Sequence, residues 1–539
     1  MFSLAILIGI YSYLIFFLGV FGLLYKPLIG LVTLLYFFII VTIFKRNIKT
    51  LVNNIKLKRV KDFLNKDKVL FIFLFLLSAE ILINLVGVFG PETSFDALWY
   101  HLTLPKIYLL QHKISHIPGN LLFYSDMPKL TEMLYLSSIT FFNEYLAKLI
   151  HFSFGAFSLL AIYNISRKFF SKKLSVLACL VFYSNLVVGW ESVSAYIDLS
   201  RTFFEIMTLW AFINWVEKKE RKWLINSAIM LGLAISAKVI ALESLIIFLV
   251  LIIYLYILNK EKIINSLQNI VTFILFSVII PMPWLMFSYI NTGNPLYPFF
   301  DKRIDIGTSF IIPNLGNFLK DFGNLFIFSN DPISPIYLIA FPLLIVFFYN
   351  SKKNLKIIYI YIVLAVFLWY ITPRVGGGRF IVPYLPALSI LAVYPLSVLK
   401  NVKLKYFLIT LIILVSVSSI GYRFIANLRY VPVILGKETK TEYLTKHLNF
   451  SFGDFYDTDN YFKNNIKPTD KVLLFGFHNL YYVDFPFIDS SWVKKGDKFN
   501  YIAVQNSVLP EKFINWHQIY YNPITKVKLY SLGGKQWVY

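Results

Sequence analysis

Charge is what this sequence has little of: Asp, Glu, Lys and Arg make up 15% of its 539 residues, against roughly 25% in an ordinary soluble domain. That scarcity excludes a soluble chain wrapped around a single core. Cysteine is scarcer still. The one thiol, Cys179, sits in an apolar stretch, which rules out a disulfide framework and a thiolate metal site. No HExxH string occurs, which removes the paired-histidine zinc arrangement on a helix. No repeat of fixed period runs along the chain, so a repeat array and an inverted-repeat transporter draw no support from it. The first apolar segment, residues 2–24, has neither a basic start nor a small-residue cleavage site, and reads as a retained span rather than a signal peptide.

What the chain has is apolar surface in long blocks. It is 58% hydrophobic and 18% aromatic, with a mean hydropathy of +0.65. Blocks such as residues 69–90 and 239–258, each interrupted by one acid (Glu80, Glu243), approach the ~20 residues that a membrane-spanning helix requires. Counting such blocks gives about thirteen spans.

The charge that remains is unevenly placed. With 52 Lys and Arg against 29 Asp and Glu, the net charge is +23, which in a soluble protein would suggest nucleic acid. Here the excess lies in short loops between apolar runs, the pattern of cytoplasmic loops, and no nucleic acid is expected. The strongest run, residues 45–68, holds nine Lys and Arg. Alternate loops repeat the bias at 167–173, 218–222, 260–262, 352–356 and 400–405, while those between them, 90–130, 191–198, 291–333 and 373–379, are nearly neutral and rich in Gly, Pro and aromatics. This alternation predicts a cytoplasmic N-terminus in the cytoplasmic (inner) membrane, with the neutral loops outside. The stretch 130–142 is too short to cross and is expected to lie at the interface.

After Tyr422 the composition turns mixed and polar, with β-prone runs VLLFGF (472–477), YIAV (501–504) and VKLYSL (527–532) between turn residues. The expected architecture is an all-α polytopic membrane bundle over residues 1–424, carrying outer loops 90–130 and 291–333. A small extracytoplasmic α/β domain follows over residues 425–539.

Ionisable groups at or near membrane depth point to function, and most of them gather on the predicted outer side. Asp96 follows the end of a span, with Tyr100 and His101 one helical turn further on. Asp126 and Lys129 precede the interfacial segment. Glu191 and Asp198 occupy the next neutral loop, and Lys238, Arg374 and Arg379 supply cations. A Lys or Arg held near the bilayer needs an anion, and phosphate suits the guanidinium fork. Each residue also has an ordinary structural alternative: Asp96 as a helix cap, Asp126 and Asp198 as partners of Lys129 and Arg201, Lys238 as a snorkelling residue. His101, His112 and His116 could be assembled into a zinc site only if the loop brought them together. Most of the aromatic residues belong to the lipid-facing surface, with Trp99 and Tyr100 as candidates for stacking on a sugar.

Taken in order, these strings resemble the GT-C superfamily of polytopic glycosyltransferases, near its protein O-mannosyltransferase and lipid A aminoarabinose transferase members. The resemblance spans roughly residues 70–400. It rests on Asp96 in FDALWYH, Asp198 in YIDLS, Asp126, Pro128 and Lys129 with their order altered, Lys238 after a Gly-containing helix, the GNPLYP string (293–298), and Arg379 before a Pro-containing span. The WWDYG string of oligosaccharyltransferases is absent, which argues against sequon-directed N-glycosylation.

The resemblance implies an inverting glycosyltransferase with a polyprenyl-phosphate sugar as donor and a glycan, lipid or protein hydroxyl as acceptor. Asp96 would be the general base and Asp198 would orient the sugar. Lys129, Lys238, Arg374 and Arg379 would hold the phosphate, with Asp126, Tyr100 and His101 at the substrate. No cofactor is required by this scheme, and a divalent metal on Asp126 or Asp198 is the variant it leaves open. The competing classes are a lipid-linked-sugar transporter or flippase, to which Glu80 and Glu243 would belong, and an O-antigen ligase or polymerase resting on outer-loop Arg and His.

Overall fold

Apolar runs of membrane length have no water to satisfy their backbone groups, so they fold as helices that bond internally. The computed structural model describes the chain except for residues 55–66, 261, 302–313, 350, 373–376 and 534, and except for the side chains of 46–54 and 327. Part of the basic run 45–68, part of the loop 291–333 and Arg374 lie outside the described residues.

Among the described residues, eight helices are long and apolar enough to cross a membrane: Phe2–Val20, Lys26–Lys45, Lys68–Val88, Glu144–Ser166, Val239–Asn259, Lys353–Ile371, Gly378–Val398 and Val402–Leu428. The protein is an integral membrane protein. A ninth span forms if Ile263–Ile279 and Met282–Thr292, bent by 60° where Pro281 interrupts them, are taken together. Among the described residues, length and composition give eight or nine of the thirteen spans counted from sequence. The difference lies in inner helices that are short or polar: Lys172–Tyr183 has 12 residues, Arg221–Ala237 has 17, and Asp198–Lys218 carries Asp198, Arg201 and Glu205. A helix shielded from lipid by its neighbours tolerates such groups when they are paired.

Asp198–Lys218 is the central helix, buried along almost its whole length and packed between Glu144–Ser166 and Arg221–Ala237. The segment expected at the interface is a helix, Leu130–Phe141, but every residue from Leu130 to Ser138 is buried. It packs between Phe2–Val20 and Glu144–Ser166 instead of lying on the surface. Peripheral helices turn Leu34, Phe37, Phe38 and Ile257 outward, as lipid-facing surfaces do. At one end of the bundle the basic loops meet: Lys173 pairs with Asp67 at 2.9 Å, Lys168 with Glu217, and Asn354 donates to Glu217 at 3.1 Å.

The C-terminal region builds two sheets. Strands β1 (Val472–Phe475), β2 (Phe487–Asp489), β4 (Tyr501–Val504), β5 (His517–Tyr521) and β6 (Lys528–Ser531) pair in the order β2-β1-β4-β6-β5. β1 lies parallel to β2 and β4, and β6 antiparallel to β4 and β5. β3 (Lys498–Phe499) and β7 (Trp537–Val538) form a two-stranded antiparallel sheet. One face of the larger sheet packs Leu474, Ala503 and Leu529 on Phe455 and Phe462; the other packs Leu473 and Ile502 on Phe513 and Trp516.

This domain is bolted to the loop that follows Lys68–Val88. Lys106 Nζ donates to the carbonyls of Tyr481 (2.6 Å) and Val483 (2.9 Å) and pairs with Asp484 at 2.6 Å. Tyr482 Oη donates to the Glu92 carbonyl at 2.9 Å, and Lys440 pairs with Glu144 at 2.5 Å. His478 stacks on Phe95 with ring centroids 4.9 Å apart and meets Trp99 at 4.6 Å.

Candidate active site

Two loops set the first carboxylate in place. Glu92 is buried, and its carboxylate accepts the N–H groups of Thr93 (2.9 Å), Ser94 (2.7 Å) and Ala195 (2.6 Å). It thereby staples the turn before Asp96 to the turn before Asp198. Tyr196 Oη accepts the Asp96 N–H at 3.3 Å. From there the chain enters a wide π turn, Ala97–His101, a local irregularity often found at functional sites.

Asp198 is the first residue of the central helix, where the unsatisfied N–H groups favour a negative charge. The Leu199 N–H donates to His151 Nε2 at 3.0 Å, while His151 Nδ1 lies 2.9 Å from both the Glu191 and Ser194 carbonyls. Those contacts assign the proton to Nδ1. Glu191 itself is buried, with neither carboxyl oxygen accepting a hydrogen bond among the described residues and Oε2 3.8 Å from His151 Nε2, and does not line the cavity described next.

Four charges form a chain. Arg379 Nη1 donates to Asp96 Oδ2 at 2.7 Å, Arg379 Nε lies 4.0 Å from Asp198 Oδ2, and Lys238 Nζ donates to Asp198 Oδ1 at 2.6 Å. The Arg379 guanidinium covers the Tyr196 ring at 5.0 Å, and Lys238 covers Phe380 at 5.3 Å. Asp96 is 8% exposed. Burial by itself raises its pKa, but Arg379, His101 and Lys238 outweigh burial and hold the carboxyl below the usual range.

A cavity of about 340 Å³ opens on this chain, lined among others by Asp96, Tyr100, Tyr124, Lys129, Lys238 and Arg379. Lys129 is its least compensated charge. It is 1% exposed, and among the described residues its ammonium donates only to the carbonyls of Tyr124 and Met127. Burial pushes its pKa down to about 8 against the opposing pull of Glu132 and Asp126. Tyr100 stacks on Tyr124 at 4.1 Å.

Other sequence candidates lie off this wall. Asp126 is buried but turned away, 2.6 Å from His116 Nδ1 and accepting from Asn291 at 3.1 Å. His101 stands behind Glu132, 2.9 Å from its carboxylate. His112 stacks on Tyr25, so the three histidines are not gathered. Trp99, by contrast, does line the cavity: its indole N–H donates to the Leu121 carbonyl at 2.7 Å and its ring is packed against Phe95, Tyr124 and His478. Both Asp198 oxygens face cations and Asp126 has one histidine beside it. Among the described residues no three His, Cys, Asp or Glu side chains gather as metal ligands, and a metal does not fit this donor set.

Sequence reasoning missed Glu92, Glu132, Tyr124, Tyr196 and Asp331. Asp331 lies in the wall of a second and larger cavity of about 810 Å³, which shares Arg379 and Phe380 with the first and adds Trp190 and Arg423.

Residues 134–287 match the family described as dolichyl-phosphate-mannose-protein mannosyltransferase. The structure of ArnT from Cupriavidus metallidurans in the apo state superposes with a TM-score of 0.58 at 12% identity, over 85% of this chain and 97% of that one. The chain has the GT-C fold. ArnT of the same organism bound to undecaprenyl phosphate gives 0.56 at 13% identity, over the same shares of the two chains. No curated protein matches by sequence. The GT-C fold accounts for the arrangement seen here, a helical bundle with a small strand-containing domain seated over one end.

Proposed function

We propose that the protein is a membrane glycosyltransferase that moves a sugar from a polyprenyl-phosphate carrier to an acceptor hydroxyl on a glycan, lipid or protein. The observation that carries this reading is the meeting of Asp96, Lys129, Lys238 and Arg379 on one cavity. Cleaving the bond between the anomeric carbon and a phosphate oxygen leaves negative charge on the phosphate. The catalyst therefore needs cations on that side and a base for the incoming hydroxyl on the other.

Lys129 is the natural phosphate anchor, because a buried ammonium without a carboxylate partner gains most from a bound anion. Lys238 and Arg379 stand beside it, each tethered to a carboxylate. Arg379 engages Asp96 through Oδ2, and Oδ1 accepts nothing among the described residues. An ionised Asp96 with a free oxygen can take the acceptor proton while the acceptor oxygen attacks the face opposite the phosphate, which inverts the anomeric centre. Asp198, fixed by Lys238, would orient sugar hydroxyls. Arg374 keeps its place in the scheme as a second phosphate contact, Tyr100 as a wall for the sugar, and Asp126 and His101 as supports behind the site.

The location follows the same logic. The basic loops contact each other at the end of the bundle away from the strand-containing domain, which supports a site on the extracytoplasmic face of the cytoplasmic membrane. Of the two acids that would belong to a flippase, Glu243 accepts from Arg201 at 2.8 Å and is tied into the bundle, while Glu80 accepts from Asn84 at 3.1 Å through one oxygen and holds the other without a hydrogen-bond partner among the described residues. The test is release of lipid phosphate from a panel of radiolabelled polyprenyl-phosphate sugars, with Asp96→Asn as the inactive comparison.

A further inference from the structure

We infer that Asp331 is a positioning residue that holds Arg379 between Asp96 and Asp198. The role rests on the reading of Arg379 as part of the transfer site. Asp331 Oδ2 accepts the Arg379 backbone N–H at 2.7 Å. Its other oxygen accepts the Ser329 hydroxyl at 2.6 Å, and Ser329 Oγ in turn accepts the Asp331 N–H at 3.3 Å. The carboxylate is thus aimed by its own turn before it meets Arg379. That turn is anchored to the bundle through the Ser334 N–H on Asn185 Oδ1 at 2.7 Å and the Ile333 N–H on the Leu325 carbonyl at 2.9 Å.

The opposite strand of the contact is built to receive it. Gly377 has φ +86°, and a Cβ there would lie 2.3 Å from Asp331 Oδ1; a Cβ on Gly378 would lie 2.2 Å from the Asp331 carbonyl oxygen. Only glycine permits both the backbone conformation and the approach. Arg379 is then the second residue of the tight turn Gly378–Tyr384, whose first N–H groups have no partner within the turn. Asp331 fills that role from a segment 48 residues away in sequence.

The consequence is geometric. The guanidinium must reach Asp96 at 2.7 Å while keeping its Nε 4.0 Å from Asp198, and its root is fixed at one amide. Asp331 touches neither carboxylate. It lines the larger cavity, on the far side of Arg379 from Lys129, and acts only through the arginine.

The test uses the full chain in nanodiscs with Asp331→Ala and Asp331→Asn. Asn retains an oxygen that can accept the Arg379 N–H; Ala does not. Hydrogen exchange at the Arg379 amide should speed by about tenfold or more in Asp331→Ala, stay near wild type in Asp331→Asn, and be unaltered in β1. The carboxyl band of Asp96, identified by infrared difference against Asp96→Asn, should titrate at higher pH in Asp331→Ala and return towards wild type in Asp331→Asn. In turnover, Asp331→Ala should lower kcat/KM about 10- to 100-fold, the scale of a small misplacement at a reacting centre.

Unaltered exchange at Arg379, or faster exchange with an unmoved Asp96 titration, overturns the proposal. If wild type releases no lipid phosphate from any donor, the transfer reading fails, while the exchange and infrared results still decide whether Asp331 positions Arg379.

Discussion

Asp96 and Arg379 stand 283 residues apart in sequence and 2.7 Å apart in the fold, joined by a charge-assisted hydrogen bond at the edge of the 340 Å³ cavity. The pair keeps a buried carboxylate ionised, which a base must be before it can take a proton.

Removing the guanidinium should reverse that balance. Burial raises the Asp96 pKa and Arg379 is the largest opposing influence, so Arg379→Ala should move the acidic limb of the kcat/KM profile to higher pH by about one unit or more. The direction follows from the sign: a carboxyl held low is ionised over a wide range, and one released upward loses its basic form sooner as pH falls. Arg379→Lys should shift the limb less, because the charge survives while the fork is lost.

Lys129 predicts a pH dependence on the opposite side. Its ammonium, lowered by burial to about 8, is charged below that pH and neutral above it. Between about pH 7, where a phosphate monoester is already mostly dianionic, and about pH 8, binding of a polyprenyl phosphate should therefore be level, and fall about tenfold per unit beyond it. Lys129→Arg should abolish that fall, since guanidinium does not lose its proton there. Lys129→Met should weaken binding by about 2 kcal/mol or more at neutral pH. Titrating a labelled lipid phosphate into nanodisc-embedded protein measures all three.

Glu92 predicts a loss of stability rather than of chemistry. Its carboxylate serves three backbone N–H groups in two loops, and Glu92→Ala leaves all three without that acceptor, the Ala195 N–H fully buried. The expected cost is about 3 kcal/mol, visible as a lowered thermal midpoint. Glu92→Gln, which keeps one oxygen, should lose less.

The seat of the strand-containing domain predicts how it detaches. Lys106 holds two carbonyls and one carboxylate of that domain, so Lys106→Met should speed proteolysis between Leu428 and β1 while leaving the bundle helices resistant. Deleting residues 430–539 should uncover Phe95 and Trp99, which now face His478, and depress turnover with every acceptor.

What the sequence made legible depends on where each contact is decided. Asp96, Asp198, Lys238 and Arg379 stood out because each is a charge beside an apolar span, and the fold brings all four together. Asp126 carried the same signal, yet the extended residue Met127 separates it from Lys129, so Lys129 lines the cavity while Asp126 is buried beside His116 and Asn291. Asp331 and Glu92 left no signal, because each acts by accepting backbone N–H groups, and the ones that matter to the site, those of Arg379 and Ala195, lie in segments distant in sequence.

The strands divide in the same way. β1, β4 and β6 lie where the apolar runs indicated, whereas β2 has three residues and β5 is a mostly exposed edge, so neither shows the alternation that marks a buried strand. The span count differs from the eight or nine found by length and composition among the described residues because inner helices sheltered by the bundle are shorter or more polar than those facing lipid.

The central claim is that Asp96 carries out transfer from a polyprenyl-phosphate sugar. The most direct measurement is the rate of lipid-phosphate release by purified wild type and Asp96→Asn in nanodiscs, with donor binding followed in parallel. The account predicts release by wild type with at least one donor, and a loss of about 10²-fold or more in Asp96→Asn with donor binding retained. Equal release by the two proteins would contradict it.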